Sequence, residues 1–309
     1  MNRILFFGVS LFFLTLSLPL FGQDSPAAPI NESSLLWEIS GNDLQTPSYL
    51  YGTIHMIGKE DFFLTDDTKT AFSACKRVTF EIDLAEMTGL FSQISLMMQM
   101  FMDDGLRLSD LLTEEEYQVV SDHFDEQGLP MFMLDRIKPL FLSAVADMDM
   151  GTMEPGNADS EMISYEFEFY DMAKSRKMET AGLETAEYQI SLFDSIPYSV
   201  QAHMLLESIQ AAPAEGGVDE MQMLVDLYKS QDIESMQHAF SSSDSEYAPY
   251  EELLLINRNL NWIPIMGKMM AEKPTFFAVG AGHLGGEQGV VNLLRQKGYT
   301  LRPINSKKP

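Results

Sequence analysis

Apolar positions follow two rhythms along the chain. Short runs of strand type stand at residues 35–39, 49–54, 77–83, 178–183, 275–279 and 299–304. Between and around them the spacing is helical. Residues 62–74 read as a helix with Asp66 and Asp67 in its first turn. Thr113-Glu114-Glu115-Glu116 is a capping box, and Gly128 closes the helix it opens. Residues 131–150 are mostly apolar, with Pro139 predicting a kink. Further helices are expected at 159–174, 187–210, 221–229, 251–270 (bent at Pro264) and 287–297. Turns and breaks fall at 41–43, 151–157, 211–217 and 241–245.

Strand, helix and strand within 49–83 form a βαβ pattern, which predicts a parallel pair of neighbouring strands. The last unit, 275–304, repeats strand, helix, strand. The expectation is an α/β fold. A mixed sheet is built from the N- and C-terminal segments, with a large helical insertion at about 86–270. The folded domain is expected over 35–305, behind a Pro/Ala-rich linker at 24–34 and ahead of a short polar tail at 306–309. No internal repeat of solenoid period is present.

The first 23 residues change the setting. Arg3 precedes an apolar stretch over 4–21, a break at Pro19 and a small-polar exit at Gly22-Gln23. That is the pattern of a secretory signal peptide, so the expected location is periplasmic or secreted. Membrane contact is expected only through this segment, if it stays uncleaved. No lipid-attachment cysteine follows it.

Cys75 is the one cysteine, so no intramolecular disulfide can form. The formal charge is −26, and removing 1–23 takes away Arg3 alone. Such a surface repels nucleic acid and anionic lipid. Met97, Met98, Met100 and Met102 crowd one segment among Leu96, Phe101 and Leu106. They read as helical core filler rather than thioether ligands for copper(I).

Chemistry concentrates at strand ends. Tyr49-Leu50-Tyr51-Gly52-Thr53-Ile54-His55 and Phe276-Phe277-Ala278-Val279-Gly280-Ala281-Gly282-His283 are both strands ending in Gly-x-x-His. Open α/β sheets carry their sites at the carboxyl ends of strands. Glu81 ends another strand, so His55, His283 and Glu81 form a candidate metal set, with Glu81 as ligand or general base. Asp83 is a reserve ligand and Glu184 a weaker candidate. The bland alternative is two core histidines held by backbone carbonyls. His123, His203 and His238 lie in helical, polar surroundings and read as surface residues. Gly280-Ala281-Gly282-His283-Leu284-Gly285 matches a dinucleotide fingerprint. No second half follows to hold a dinucleotide, and Arg302-Pro303 replace the expected acid, so no nucleotide cofactor is expected. G-x-S-x-G, H-E-x-x-H and phosphate-loop motifs are absent from the sequence.

Five pieces together resemble the TraB/PrgY/GumN family, bacterial relatives of the Tiki proteases. They are residues 49–55, 78–83, Ala181-Gly182-Leu183-Glu184-Thr185 with Gln189, Asn257-Arg258-Asn259-Leu260-Asn261-Trp262, and 279–290. The resemblance implies a metal-dependent hydrolase, metalloprotease-like, with a peptide or protein substrate. It implies that His55 and His283 hold a divalent metal (Mn, Co or Zn) and that Glu81 is a ligand or the base for a metal-activated water. Arg258 and Asn259 would support catalysis, the guanidinium facing a developing oxyanion. Family members often carry Glu where Asn257 stands. A non-enzymatic exported binder that sequesters a peptide or signal ligand is the alternative, and an ester hydrolase a third. Oligomeric state is not legible in the sequence.

Overall fold

The computed structural model describes residues 33–85, 95, 97–146, 162–211, 220–241 and 248–305. The expected signal segment 1–23, the linker to residue 32, the break at 151–157, the loops at 212–217 and 242–245 and the tail 306–309 lie outside them.

Eight strands are present in the described residues: β1 (Leu36–Gly41), β2 (Ser48–Thr53), β3 (Ile57–Gly58), β4 (Arg77–Ile82), β5 (Met162–Ile163), β6 (Glu179–Glu184), β7 (Thr275–Gly280) and β8 (Tyr299–Pro303). Six of them form one mixed sheet in the order β6-β4-β7-β2-β1-β8, and β3 pairs with β5 in a small ladder. Pairing is parallel from β6 through β4 and β7 to β2, then antiparallel onto β1 and β8. The four parallel strands have one shared carboxyl edge. The fold is α/β, as the alternation of elements predicts.

The central strands explain their own position. In β7 the run Thr275-Phe276-Phe277-Ala278-Val279 is buried on both faces, the usual state of an inner parallel strand. On one face Phe276 packs with Tyr51, Phe72 and Phe169, at ring-centroid distances of 5.0 to 6.1 Å. Phe72 and Phe169 come from the helices Asp66–Ala74 and Tyr165–Ser175. On the other face, Thr79 donates to the sulfur of Met269 on the helix Asn257–Glu272. Helices therefore cover both faces. A second core, with Leu108, Val120, Phe124, Leu142 and Leu205, unites helices of the middle segment.

Several expectations change. β2 and β4 are parallel but not neighbours, because β7 lies between them. Hydrophobic periodicity identifies strands without naming their partners, and the longest buried run takes the centre. The weak strand near 178–183 is β6, an edge of the main sheet drawn from within the span read as a helical insertion. Pro139 does not kink a helix. It is the first residue of the helix Pro139–Ala146, where its missing N–H has no intrahelical bond to lose. The helix Asn257–Glu272 runs through Pro264 and follows a π-helical turn at Glu252–Ile256. A helix at Ile233–Ser241 had no counterpart in the sequence reading. Met102 is buried, whereas Met97 and Met98 stand 58% and 68% exposed, so the methionine cluster is not uniformly core. The capping box is formed as expected: Thr113 Oγ1 accepts the Glu116 N–H, and Glu116 Oε2 accepts the Thr113 N–H at 2.8 Å.

The aromatic layer on β7 sets one measurable contrast. Phe276→Ala should cost ~3–5 kcal/mol in urea unfolding, whereas Phe132→Ala, at a side chain 84% exposed, should stay within about 0.5 kcal/mol of wild type.

Candidate active site

The site is built on the carboxyl edge of the parallel strands. Thr53 of β2 pairs with Gly280 of β7, and Ile82 of β4 pairs with Glu184 of β6. Those registers bring four chain segments to one edge. Past β7 the chain turns at once through the short 3-10 segment Ala281–His283, which buries the His283 ring. The glycines make room for this turn. A Cβ on Gly52 would lie 3.1 Å from Ala281 and Leu284, and one on Gly280 would lie 3.2 Å from Glu81 Oε1.

Glu81 Oε1 accepts the Gly280 N–H at 2.8 Å, across β4 and β7. Its Oε2 accepts from Arg258 Nη2 at 2.5 Å and from Gln189 Nε2 at 3.1 Å. Arg258 also reaches Glu184 Oε1, through Nε at 2.9 Å and Nη2 at 2.5 Å. Its Nη1 donates to the Leu254 carbonyl at 3.1 Å and lies 3.2 Å from His283 Nε2. A guanidinium has five N–H groups. These five contacts match them one for one, so Arg258 braces the site as it stands. Glu184 Oε2 accepts from the Trp262 indole at 3.0 Å, and that ring lies under the guanidinium and beside the His283 ring.

The tautomer of His283 follows from its neighbours. Asn259 Nδ2 donates to the Gln288 carbonyl at 2.9 Å, which turns Oδ1 toward His283 Nδ1 at 2.7 Å. Nδ1 therefore carries the proton. Arg258 can only donate, so Nε2 must be the lone-pair nitrogen. That nitrogen lies 3.8 Å from Glu81 Oε1. Burial pushes the His283 pKa down to about 3, with Arg258 acting in the same direction and Glu81 opposing it. Burial alone would raise the Glu81 carboxyl. Arg258, then His283, His55 and the Gly280 N–H outweigh that and hold it well below the usual carboxylate range.

His55 leaves the same edge on β2, but its ring turns to a residue the sequence reading did not single out. Its Nδ1 lies 3.0 Å from Glu166 Oε1. The same oxygen accepts the Thr53 hydroxyl at 2.7 Å, and Oε2 accepts the Ser164 hydroxyl at 3.0 Å. The His55 side chain is 75% exposed, so it faces solvent while Glu81, Arg258 and His283 are buried. The Glu166 contact raises its pKa to about 9. His55 is within electrostatic reach of Glu81 and Arg258.

The structure thus gathers Glu81, Glu184, Gln189, Arg258, Asn259, Trp262 and His283 into one network, with His55 and Glu166 beside it. Among the described residues no three His, Cys, Asp or Glu side chains stand close enough to enclose a metal ion as placed. Asp83 does not join the network: its Oδ1 accepts the Ala85 N–H at 3.0 Å. His123 contacts Gln127, His203 contacts the Ser199 carbonyl within its own helix, and His238 is exposed. Burial pushes the Cys75 thiol up to about 12 and leaves it inert at neutral pH.

With this geometry in place, comparison with known proteins assigns the chain. A family model described as TraB/PrgY/gumN matches residues 35–303. The chain belongs to the TraB/PrgY/gumN family. It is 22% identical over 333 residues to the protein named metalloprotease TIKI2 of Danio rerio, covering 93% of this chain and 64% of that protein. It is 24% identical over 338 residues to metalloprotease TIKI1 of Danio rerio, covering 93% of this chain and 66% of the relative. Against metalloprotease TIKI1 of Homo sapiens it is 23% identical, covering 90% of this chain and 63% of that protein. The chain of this TraB/PrgY/gumN member therefore spans slightly less than two thirds of these relatives' length. No solved structure matches it.

The two imidazoles should titrate in opposite directions in metal-free protein. The unfolded chain takes up a proton near pH 6.5 that folded His283 refuses until about 3, so His283 lowers stability progressively as pH falls between those values. The His55–Glu166 contact contributes fully below pH 6.5 and fades as pH rises through about 9. Histidine-selective NMR titration should show one ring neutral at pH 5 and another still protonated at pH 8, the latter signal returning to an ordinary midpoint in Glu166→Ala.

Proposed function

We propose that the protein is an exported metal-dependent peptidase in which His55, His283 and Glu81 hold a divalent cation, Mn, Co or Zn. The observation that carries this reading is the state of His283. Its Nδ1 proton is pinned by Asn259 and its Nε2 lone pair lies beside Glu81 Oε1. A metal-ligating histidine is typically prepared in this way, with the far nitrogen donating to a carbonyl or carboxylate. Relatives named metalloproteases support the same reading.

By chemical type the donors suit the cation, although as placed they do not close around one. Two imidazole nitrogens and a carboxylate suit a divalent ion of borderline softness and leave positions open. The Arg258 Nη1 contact on His283 Nε2 is the one that binding must displace. A divalent ion held by His55, His283 and Glu81 would supply Lewis acidity for polarising a scissile carbonyl and acidifying a water.

The remaining roles follow from the chain's own side chains. Glu81 is buried and its carboxyl is held low, which suits a ligand better than a proton acceptor. Arg258 bridges Glu81 and Glu184, and Asn259 keeps the His283 ring oriented. His55 is the exposed member and the one substrate meets first. A cleft lined by Gln237, Leu255, Asn259, Gly282, Gly286 and Gln288 opens beside His283. Its glycine wall lets a peptide main chain approach closely. Export rests on the apolar segment 4–21, and among the described residues no helix is long and apolar enough to cross a membrane.

Elemental analysis of purified protein, coupled to a peptide-library digest, tests the proposal. Wild type should carry a divalent metal and cleave peptides. His55→Ala and His283→Ala should each lose metal and lower kcat/KM by at least ~10³-fold, in line with removal of a group acting on the transition state. Wild type without metal, binding peptide unchanged by either substitution, would establish the sequestering binder instead. Arg258→Lys should also impair turnover strongly, because lysine cannot make the bidentate contacts to the two carboxylates.

A further inference from the structure

The two Gly-x-x-His histidines are held by the same device, but by different partners. His283 Nδ1 faces the amide oxygen of Asn259 at 2.7 Å, and His55 Nδ1 faces the carboxylate of Glu166 at 3.0 Å. In both rings Nδ1 is anchored and Nε2 is the nitrogen left for chemistry. We infer that Glu166 is the positioning residue of His55, anchoring its ring through Nδ1.

The surroundings are built for that task. The Glu166 side chain is only 16% exposed and stands in the first turn of the helix Tyr165–Ser175. The Thr53 hydroxyl fixes the oxygen that His55 uses, and the Ser164 hydroxyl fixes the other. Thr53 is two residues before His55 and buried in β2, so strand, histidine and carboxylate are tied into one unit. An exposed imidazole on a chain that has just left its strand has rotamer freedom. A carboxylate that is itself held at both oxygens removes it before any ligand arrives. Partners of this kind, two bonds removed from a metal, typically change affinity by 10- to 100-fold.

The inference rests on His55 being a ligand, so its test separates the two claims. Full-length purified protein, stripped of metal, is titrated calorimetrically with Mn²⁺ and Zn²⁺ for wild type, His55→Ala, Glu166→Ala, Glu166→Gln, Glu166→Asp and His55→Ala/Glu166→Ala. Glu166→Ala should weaken binding ~10- to 100-fold. The isosteric Glu166→Gln, which preserves packing, should show a smaller loss, and Glu166→Asp should recover part of it. The double variant should bind no more weakly than His55→Ala, because the carboxylate acts only through that ring. Wild-type affinity in Glu166→Ala and Glu166→Gln, with His55→Ala impaired, would overturn the inference and leave the metal reading standing. A further loss in the double variant would also overturn it. Absence of binding by wild type would overturn the metal reading, and this inference with it.

Discussion

One guanidinium between two buried carboxylates holds this site together. Glu81 and Glu184 stand at the carboxyl ends of neighbouring parallel strands, and both carboxylates reach the same Arg258 Nη2. Two buried carboxylates that close repel each other unless a cation stands between them. Arg258 supplies it, with side chains of all three residues at most 12% exposed. Removing one member of such a group leaves an uncompensated buried charge, which typically costs ~3–5 kcal/mol. The same guanidinium touches His283 Nε2 and lies over Trp262. Sheet edge, helix and histidine are therefore coupled through one side chain.

The fold supplies that coupling by inserting the penultimate strand between two early ones. β7 lies between β2 and β4, and its last residue, Gly280, donates its N–H to Glu81. The C-terminal histidine is thereby delivered between the N-terminal one and the glutamate. Ordinary α/β logic then applies: parallel strands share a carboxyl edge, and the loops leaving it converge on a site.

Much of this was legible from residue types. Glu81, His55 and His283 sit at strand ends, where a chemistry-bearing residue follows a buried run. The class of fold followed from alternating strand and helix patterns, and the Thr113–Glu116 capping box was readable residue by residue. Strand order was not, because periodicity of 2 marks a strand without naming its neighbour. The strand at 178–183 was legible, but its place as an edge of the main sheet was not: it is only modestly buried, with Leu183 its one fully buried residue, and it lies within the span read as a helical insertion. Pro139 misled because proline breaks a helix interior but opens a helix equally well, and local pattern does not distinguish the two. Glu166 was invisible for a related reason. A glutamate in a helix's first turn already has an adequate local explanation in the helix dipole. Its contact with His55 spans 111 positions along the chain, and no motif links the two.

The division of labour between buried and exposed groups gives the site its character. His283, Glu81 and Arg258 are fixed before any ligand arrives, while His55 stands at the surface on a carboxylate tether. The central claim is that both imidazoles nonetheless present nitrogen to one cation. Pulsed electron paramagnetic resonance on Mn²⁺-loaded protein tests this most directly, since it counts coupled histidine nitrogens. Two coupled imidazoles in wild type, falling to one in either His55→Ala or His283→Ala, is the predicted result. A spectrum in which wild type shows no histidine coupling, or in which one of the substitutions leaves the count unchanged, would contradict it.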